Sequence, residues 1–169
     1  PTGGPVAFAA GAWIVRRSEG VLAATPQFDG PVDVYYATDG AYLGQDYVLQ
    51  PGAEIPDAPD RLRRLVVDAG SGPSGQTNVV RLPKPVRVTG ELELRSGAFD
   101  PGPFLTLAPG ATQRVAYRGS VPPHYAGTTS FTAEGPVNLI FSNPAGHLPT
   151  TEQTLPAGVE VDLLRFEMQ

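Results

Sequence analysis

The chain has 169 residues, a formal net charge of −5 and a pI of about 4.9, with 41% hydrophobic and only 17% charged residues. That length suits one domain with a real core, and the acidic balance argues against broad nucleic-acid binding, which selects Lys and Arg for the phosphate backbone. Cys is absent, which excludes disulfides, thiolate catalysis and Cys-based zinc sites, and no apolar run approaches the roughly 18 residues of a membrane span.

Gly (20) and Pro (19) are spread along the chain and alternate with Val, Leu, Tyr and Phe, the pattern of many short strands joined by tight turns. Lys84 is the only lysine among the 12 basic residues, a bias expected of a GC-rich genome.

Residues 1–25 are small and apolar and lack the basic start and long apolar stretch of a signal peptide. Val6, Phe8, Trp13 and Ile14 mark two strands, at about 6–9 and 12–17. They read as a first hairpin whose Trp13 plugs the core, or as an arm that docks on a neighbouring subunit. Residues 26–169 then form one β-domain. In 30–37, Val32, Val34 and Tyr36 alternate with Asp33 and Tyr35, so one face is buried and the two tyrosines point opposite ways. Tyr42 and Tyr47 follow in a connection rich in Gly, Gln and Asp. Residues 62–67, Leu-Arg-Arg-Leu-Val-Val, read as a strand, and Gly70 to Gly75 as an exposed loop. Alternation returns at Val80 and Leu82, Val86 and Val88, Leu92 and Leu94. Further strands are expected around 104–107, 114–117, 129–132, 137–141 and 159–167.

No stretch carries a capped helical period. The expected fold is all-β: an antiparallel β-sandwich, jelly-roll or immunoglobulin-like, of about nine to eleven short strands.

A partial repeat runs through the chain. Gly30-Pro31-Val32 matches Gly135-Pro136-Val137, Val34-Tyr35-Tyr36 matches Leu139-Ile140-Phe141, and Leu49, Gly52, Glu54 and Ile55 match Leu155, Gly158, Glu160 and Val161. A weaker third copy runs from Pro85 to Ala111. Copies roughly fifty residues apart are too long for a solenoid rung, so the repeat reads as a shared sandwich corner, with a three-fold β-trefoil as the other arrangement.

Groups able to carry chemistry are sparse. His124 and His147 sit in Pro/Gly-rich stretches with no further ligand nearby. Asp57 and Asp60 beside prolines are turn formers. Glu91 and Glu93 share one strand face, whose ordinary reading is a solvated face rather than a glycosidase pair. No nucleophile elbow, phosphate loop or dinucleotide fingerprint is present. The reading is therefore a non-enzyme with no cofactor and no metal site.

Leu107-Ala108-Pro109-Gly110-Ala111, followed by an alternating strand to Val115, resembles the corner of many immunoglobulin-like and jelly-roll sandwiches. Low charge, no Cys, no export signal, an apolar start and no active-site grouping together make the chain similar to small β-rich virion proteins of tailed phages. Those are capsid decoration proteins, head fibres and tail components. The resemblance implies an assembly protein of the virion, made in the host cytoplasm, whose partners are itself (as a trimer or another closed ring) and other virion proteins. No nucleic acid and no membrane would be involved. Val6, Phe8, Trp13 and Ile14 would form the interface. The other reading is a carbohydrate- or ligand-binding sandwich contacting its ligand through Tyr42 or Tyr47.

Overall fold

The computed structural model describes residues 6–17, 20, 22, 24–37, 48–70, 78–116, 123–126, 129–142, 151–155 and 160–163. Among them there are strands and no helix. One sheet runs the length of the molecule. Its parallel strands are β2 (Trp13–Arg17), β4 (Val32–Ala37), β6 (Leu62–Asp68), β9 (Glu91–Ser96), β12 (Thr112–Ala116) and β15 (Val137–Ser142), in that spatial order. A second sheet stacks β5 (Val48–Leu49), β7 (Val79–Arg81), β10 (Ala98–Asp100) and β13 (His124–Tyr125), again in parallel. A third stacks β8 (Val86–Val88), β11 (Leu105–Leu107) and β14 (Thr129–Ala133). The pair β1 (Ala7–Phe8) and β3 (Gln27–Phe28) holds the same place in chain order, just before a strand of the long sheet.

Each strand thus pairs with its counterpart one turn away, and the chain winds through three faces as a parallel β-solenoid. This corrects the antiparallel sandwich, jelly-roll or immunoglobulin-like, that the sequence suggested. The reason is physical. Alternation says only that one side of a strand is buried, and a coil buries its inward side just as a sandwich does. Nor do β1 and β2 form a hairpin: β1 pairs with β3 and β2 with β4, both parallel. Among the described residues antiparallel pairing is confined to the C-terminal strands, β16 (Thr151–Leu155) on β15 and β17 (Glu160–Leu163) on β14.

The rungs are uneven. In-register partners on the long sheet lie 20 residues apart (13 to 33), then 31 (33 to 64), 27 (64 to 91), 21 (91 to 112) and 26 (112 to 138). The partial repeat marks one corner of this coil. Gly30-Pro31 stacks on Ala10-Gly11, and Gly135-Pro136 on Pro109-Gly110. The Gly11 N–H donates to the Pro31 carbonyl, and the Gly110 N–H to the Pro136 carbonyl, each at 2.6 Å. Gly11 and Gly110 adopt φ of 79° and 78°, the left-handed region that suits glycine. The Leu107–Ala111 segment is this solenoid corner, not a crossing between sandwich sheets.

The core fills the coil. Val34, Leu65 and Leu92 stack along the long sheet, with Gln113 between Leu92 and Leu139; Val80, Phe99 and Tyr125 stack along the second, and Val88, Leu107 and Ala133 along the third. The Phe99 and Tyr125 ring centroids stand 5.9 Å apart. Tyr125 turns its hydroxyl towards the Gln113 side chain, and burial raises its pKa against that contact. Neither the hydroxyl nor Gln113 Oε1 has a well-formed hydrogen bond.

Candidate functional site

The alternation that buries Val34 and Tyr36 turns the intervening residues outward, so the long sheet carries its polar side chains in lengthwise rows. One row reads Trp13, Asp33, Arg64, Glu91, Thr112, Asn138. The next reads Val15, Tyr35, Val66, Glu93, Arg114, Ile140. In a parallel stack such neighbours lie about 4.8 Å apart, close enough for opposite charges to pair rung to rung.

They do pair. Arg63 grips Asp33 with two hydrogen bonds, Nε to Oδ1 at 2.8 Å and Nη2 to Oδ2 at 2.7 Å, and Trp13 Nε1 donates to Asp33 Oδ2 at 2.6 Å. Arg64 bridges to Glu91 at 3.0 Å and also to Glu93. Arg114 Nε donates to Glu91 Oε1 at 2.7 Å. A register shift after Val67 admits Arg95, which holds Glu93 through Nε at 2.8 Å and Nη2 at 3.0 Å. The Tyr35 hydroxyl donates to Asp68 Oδ2 at 2.6 Å, and Ser96 also bonds Asp68.

Burial alone would raise the pKa of Asp33 and of Glu93. The arginines outweigh it, with the Trp13 indole adding to their effect at Asp33, and both carboxyls sit below their ordinary values. A glycosidase acid needs the opposite, a carboxyl held protonated near neutral pH. Glu91 and Glu93 do share an outward face, and they are rungs of an ion-pair ladder.

At the N-terminal end of this face the ladder gives way to aromatic and apolar side chains. Trp13 is 50% exposed and Val15 44%, while Val6, 53% exposed, precedes β1 on another face. The Trp13 and Tyr35 ring centroids lie 6.0 Å apart, with Arg64 over the indole at 5.8 Å and Arg95 over the phenol at 5.2 Å. Trp13 is therefore a surface ring fixed in place, not a core plug. Comparison with known proteins finds no matching family model, no similar curated protein and no similar solved structure.

The expected interface residues separate. Val6 and Trp13 are exposed, Phe8 stacks on Phe28 with centroids 5.8 Å apart, and Ile14 points into the core at 8% exposure. Tyr42 and Tyr47 lie outside the described residues, as does His147. Tyr36 is inward and buried while Tyr35 is outward, as the alternation implied. Val15, Tyr35 and the arginine ladder were missed as a site. The available signal was that outward positions on successive long-sheet strands carry opposite charges.

Behind Ile14 the coil holds a buried ion pair. Arg16 Nη1 donates to Glu54 Oε1 at 2.6 Å and to the Gln50 carbonyl at 2.7 Å. The same carboxylate oxygen accepts from the Tyr36 hydroxyl and from the Gly52 N–H, each at 2.9 Å. Burial pushes the Glu54 pKa up, but these donors prevail and hold it below the usual value. A dent of about 190 Å³ lined by Ile14, Arg16, Leu22 and Glu54 opens beside the pair. A larger open trough, about 590 Å³, runs past Phe28, Ile55 and Arg61, and Lys84 and Asp57 pair on its rim. Among the described residues no three His, Asp or Glu side chains are grouped to hold a metal ion, and no helix is long and apolar enough to cross a membrane.

Proposed function

We propose that this chain is a non-enzymatic assembly protein of a tailed-phage particle, a capsid decoration (cement) protein or another head or tail component. It acts by protein–protein contact with copies of itself and with other virion proteins. The observation that supports this reading most is the placement of the exposed apolar side chains. Among the described residues the large exposed apolar side chains are Val6, Trp13 and Val15, all at the N-terminal end of the coil, and Trp13 and Val15 stand on the outermost strand of its longest sheet. Exposed aromatic and aliphatic side chains gathered at one end are the usual material of an interface. The ladder below them is internally neutralised, so it stiffens the rod without leaving a charged group poised for chemistry.

The test is compositional. Mass spectrometry of particles purified from a culture of the encoding phage should find the chain at a fixed ratio to the major capsid or tail protein. Absence from such particles overturns the assignment to a virion.

A carbohydrate-binding role is the second reading, favoured by the adjacent Trp13 and Tyr35 rings on the outer face of the long sheet. A sugar would stack on the indole, and a glycan screen read against Trp13→Ala decides it: hits lost in the variant support it, and no hits dispose of it.

A further inference from the structure

The third face of the coil is interrupted once. β1 and β3 hold this place in the first two rungs, and β8, β11 and β14 hold it later, but the rung between β3 and β8 crosses it as residues 50–61, which form turns and no strand. Pro51, Pro56 and Pro59 lie in that segment, and a proline has no N–H to give to a ladder. The Ile55 and Arg61 N–H groups bond back within the segment, to the Gly52 and Ala58 carbonyls. The open trough of about 590 Å³ lies at this interruption, reaching from Phe28 to Lys84, with Ile55 and Pro56 among the residues lining it.

β3 turns backbone groups into the interruption. The Gln27 N–H donates to the Val6 carbonyl and the Asp29 N–H to the Phe8 carbonyl, so these two residues face β1. Backbone groups alternate sides along a strand, so the N–H and C=O of Phe28 face the other way, towards the trough that Phe28 lines. No described residue bonds either group. The charges of the lining are also unequal: Arg61 and Lys84 stand against one carboxylate, Asp57. Lys84 holds Asp57 and donates to the Ile55 carbonyl at 3.3 Å. Elsewhere in the coil Arg63, Arg64, Arg81, Arg87 and Arg114 each hold a carboxylate at 3.0 Å or closer. Arg61 does not. Its partner Asp60 stands 3.7 Å from Nε, beyond hydrogen-bond reach, with a side chain 75% exposed.

We propose that this trough binds an extended peptide segment of another virion protein, with an Asp or Glu side chain on Arg61 and a neighbouring apolar side chain against Phe28 and Pro56. This rests on the assembly reading and gives it a partner site. An added strand takes up the Phe28 N–H and C=O. A guanidinium matches a planar carboxylate with two parallel hydrogen bonds. One positive charge is left once Lys84 and Asp57 are paired, so a carboxylate suits the site better than a doubly charged phosphate.

A displayed library of random twelve-residue peptides, selected on the full chain, supplies the probe. The enriched sequences should share an Asp or Glu beside an apolar residue. The strongest, made synthetically, is then titrated by calorimetry. Arg61→Gln should weaken it about tenfold, the loss of a charge-assisted contact. Ala58→Trp, at an exposed position of the lining, should block it. Arg81→Gln, which removes an exposed arginine from the second sheet, should leave it unchanged. Circular dichroism and melts check that each variant folds. No enriched sequence, a shared motif without a carboxylate, or binding that Arg61→Gln leaves intact overturns the proposal. A dimer in light scattering that Ala58→Trp breaks also overturns it, because the trough then holds a second copy. Presence in particles is read separately. A virion chain that binds no acidic peptide refutes this site alone, and a peptide-binding chain absent from particles refutes the virion reading alone.

Discussion

Gly135 lies against Pro109 so closely that a Cβ on Gly135 would stand 2.6 Å from the Cβ of Pro109. One turn of the coil separates the two, and the glycine is what lets the corner of one rung sit on the corner before it. Gly30 repeats the arrangement over Ala10. Gly110, at the same corner, is glycine for a different reason: its φ is 78° and nothing stands within 4 Å of a Cβ there. The two sites should therefore respond differently to alanine. Gly110→Ala incurs the left-handed penalty, about 1 kcal/mol. Gly135→Ala must displace backbone and ring, about 2–3 kcal/mol. Thermal melts should show the second loss clearly larger than the first, and equal losses would contradict the close-stacked corner.

This corner also explains what the sequence did and did not reveal. Gly30-Pro31-Val32 and Gly135-Pro136-Val137 are visibly alike, and the likeness is structural, since both open a strand of the long sheet. The strand at Val32–Ala37 was legible from alternation, as was the opposition of Tyr35 and Tyr36, whereas 62–67 read as a strand only in preference to a short helical turn capped by Asp60. Parallel winding was not. The rungs vary between 20 and 31 residues because their connections differ in length, so no fixed period survives, and the copies that look most alike lie several turns apart. The likeness also fails beyond Ser142, where β16 and β17 run antiparallel. At the candidate site, Trp13 drew notice by being unique, but its face could not be assigned without knowing that β2 forms a sheet's edge. Glu93 read as part of a solvated face and is 2% exposed, because the ladder closes over it.

The buried pair of Arg16 and Glu54 makes a second prediction. Their side chains are 9% and 2% exposed. Removing the carboxylate with Glu54→Ala leaves a guanidinium inside the coil with a carbonyl as its remaining acceptor. The cost should be about 3 kcal/mol, at the lower end for a broken buried pair because the adjacent dent opens towards Arg16. The double variant Arg16→Met with Glu54→Ala should recover much of the loss. A urea series on the single and double variants measures the coupling, and additive losses would mean the pair does not act as a unit.

Acid should destabilise the fold over a defined range. Asp33, Glu54 and Glu93 all have folded pKa values below their ordinary values of 3.8, 4.5 and 4.5. The unfolded chain therefore takes up protons before the folded one as pH falls. The stability these groups contribute is complete above about pH 5, and it is lost as pH drops through the lowered folded values. Melting temperature should be flat between pH 6 and 7 and fall steadily below pH 4.5, with a shallower fall in Glu93→Gln. A melting temperature unchanged at pH 3 would mean the ladder does not favour the ionised forms.

Tyr125 offers a test of the interior. Its hydroxyl and Gln113 Oε1 are both buried without a well-formed hydrogen bond. Removing a buried tyrosine hydroxyl ordinarily costs about 1 kcal/mol when its bond is satisfied. Here Tyr125→Phe should cost less than that or stabilise slightly, while the ring keeps its place against Phe99. A loss above about 1.5 kcal/mol would show that the two groups form a strong bond in solution.

Trp13→Ala separates the two roles a lone tryptophan can have. A tryptophan plugging a core costs about 3–5 kcal/mol when truncated. Trp13 is half exposed, and its removal leaves Asp33 still held twice by Arg63 and Arg64 still paired with Glu91 and Glu93. What is lost is one indole bond to a carboxylate and a guanidinium contact, about 1–2 kcal/mol. The same substitution removes the large exposed ring from the proposed contact end, so self-association should weaken more than folding does. Melts run in parallel with light scattering read both quantities on one sample. A folding loss of core size would place the indole inside the coil. A small folding loss with self-association also unchanged would take the indole out of the proposed contact.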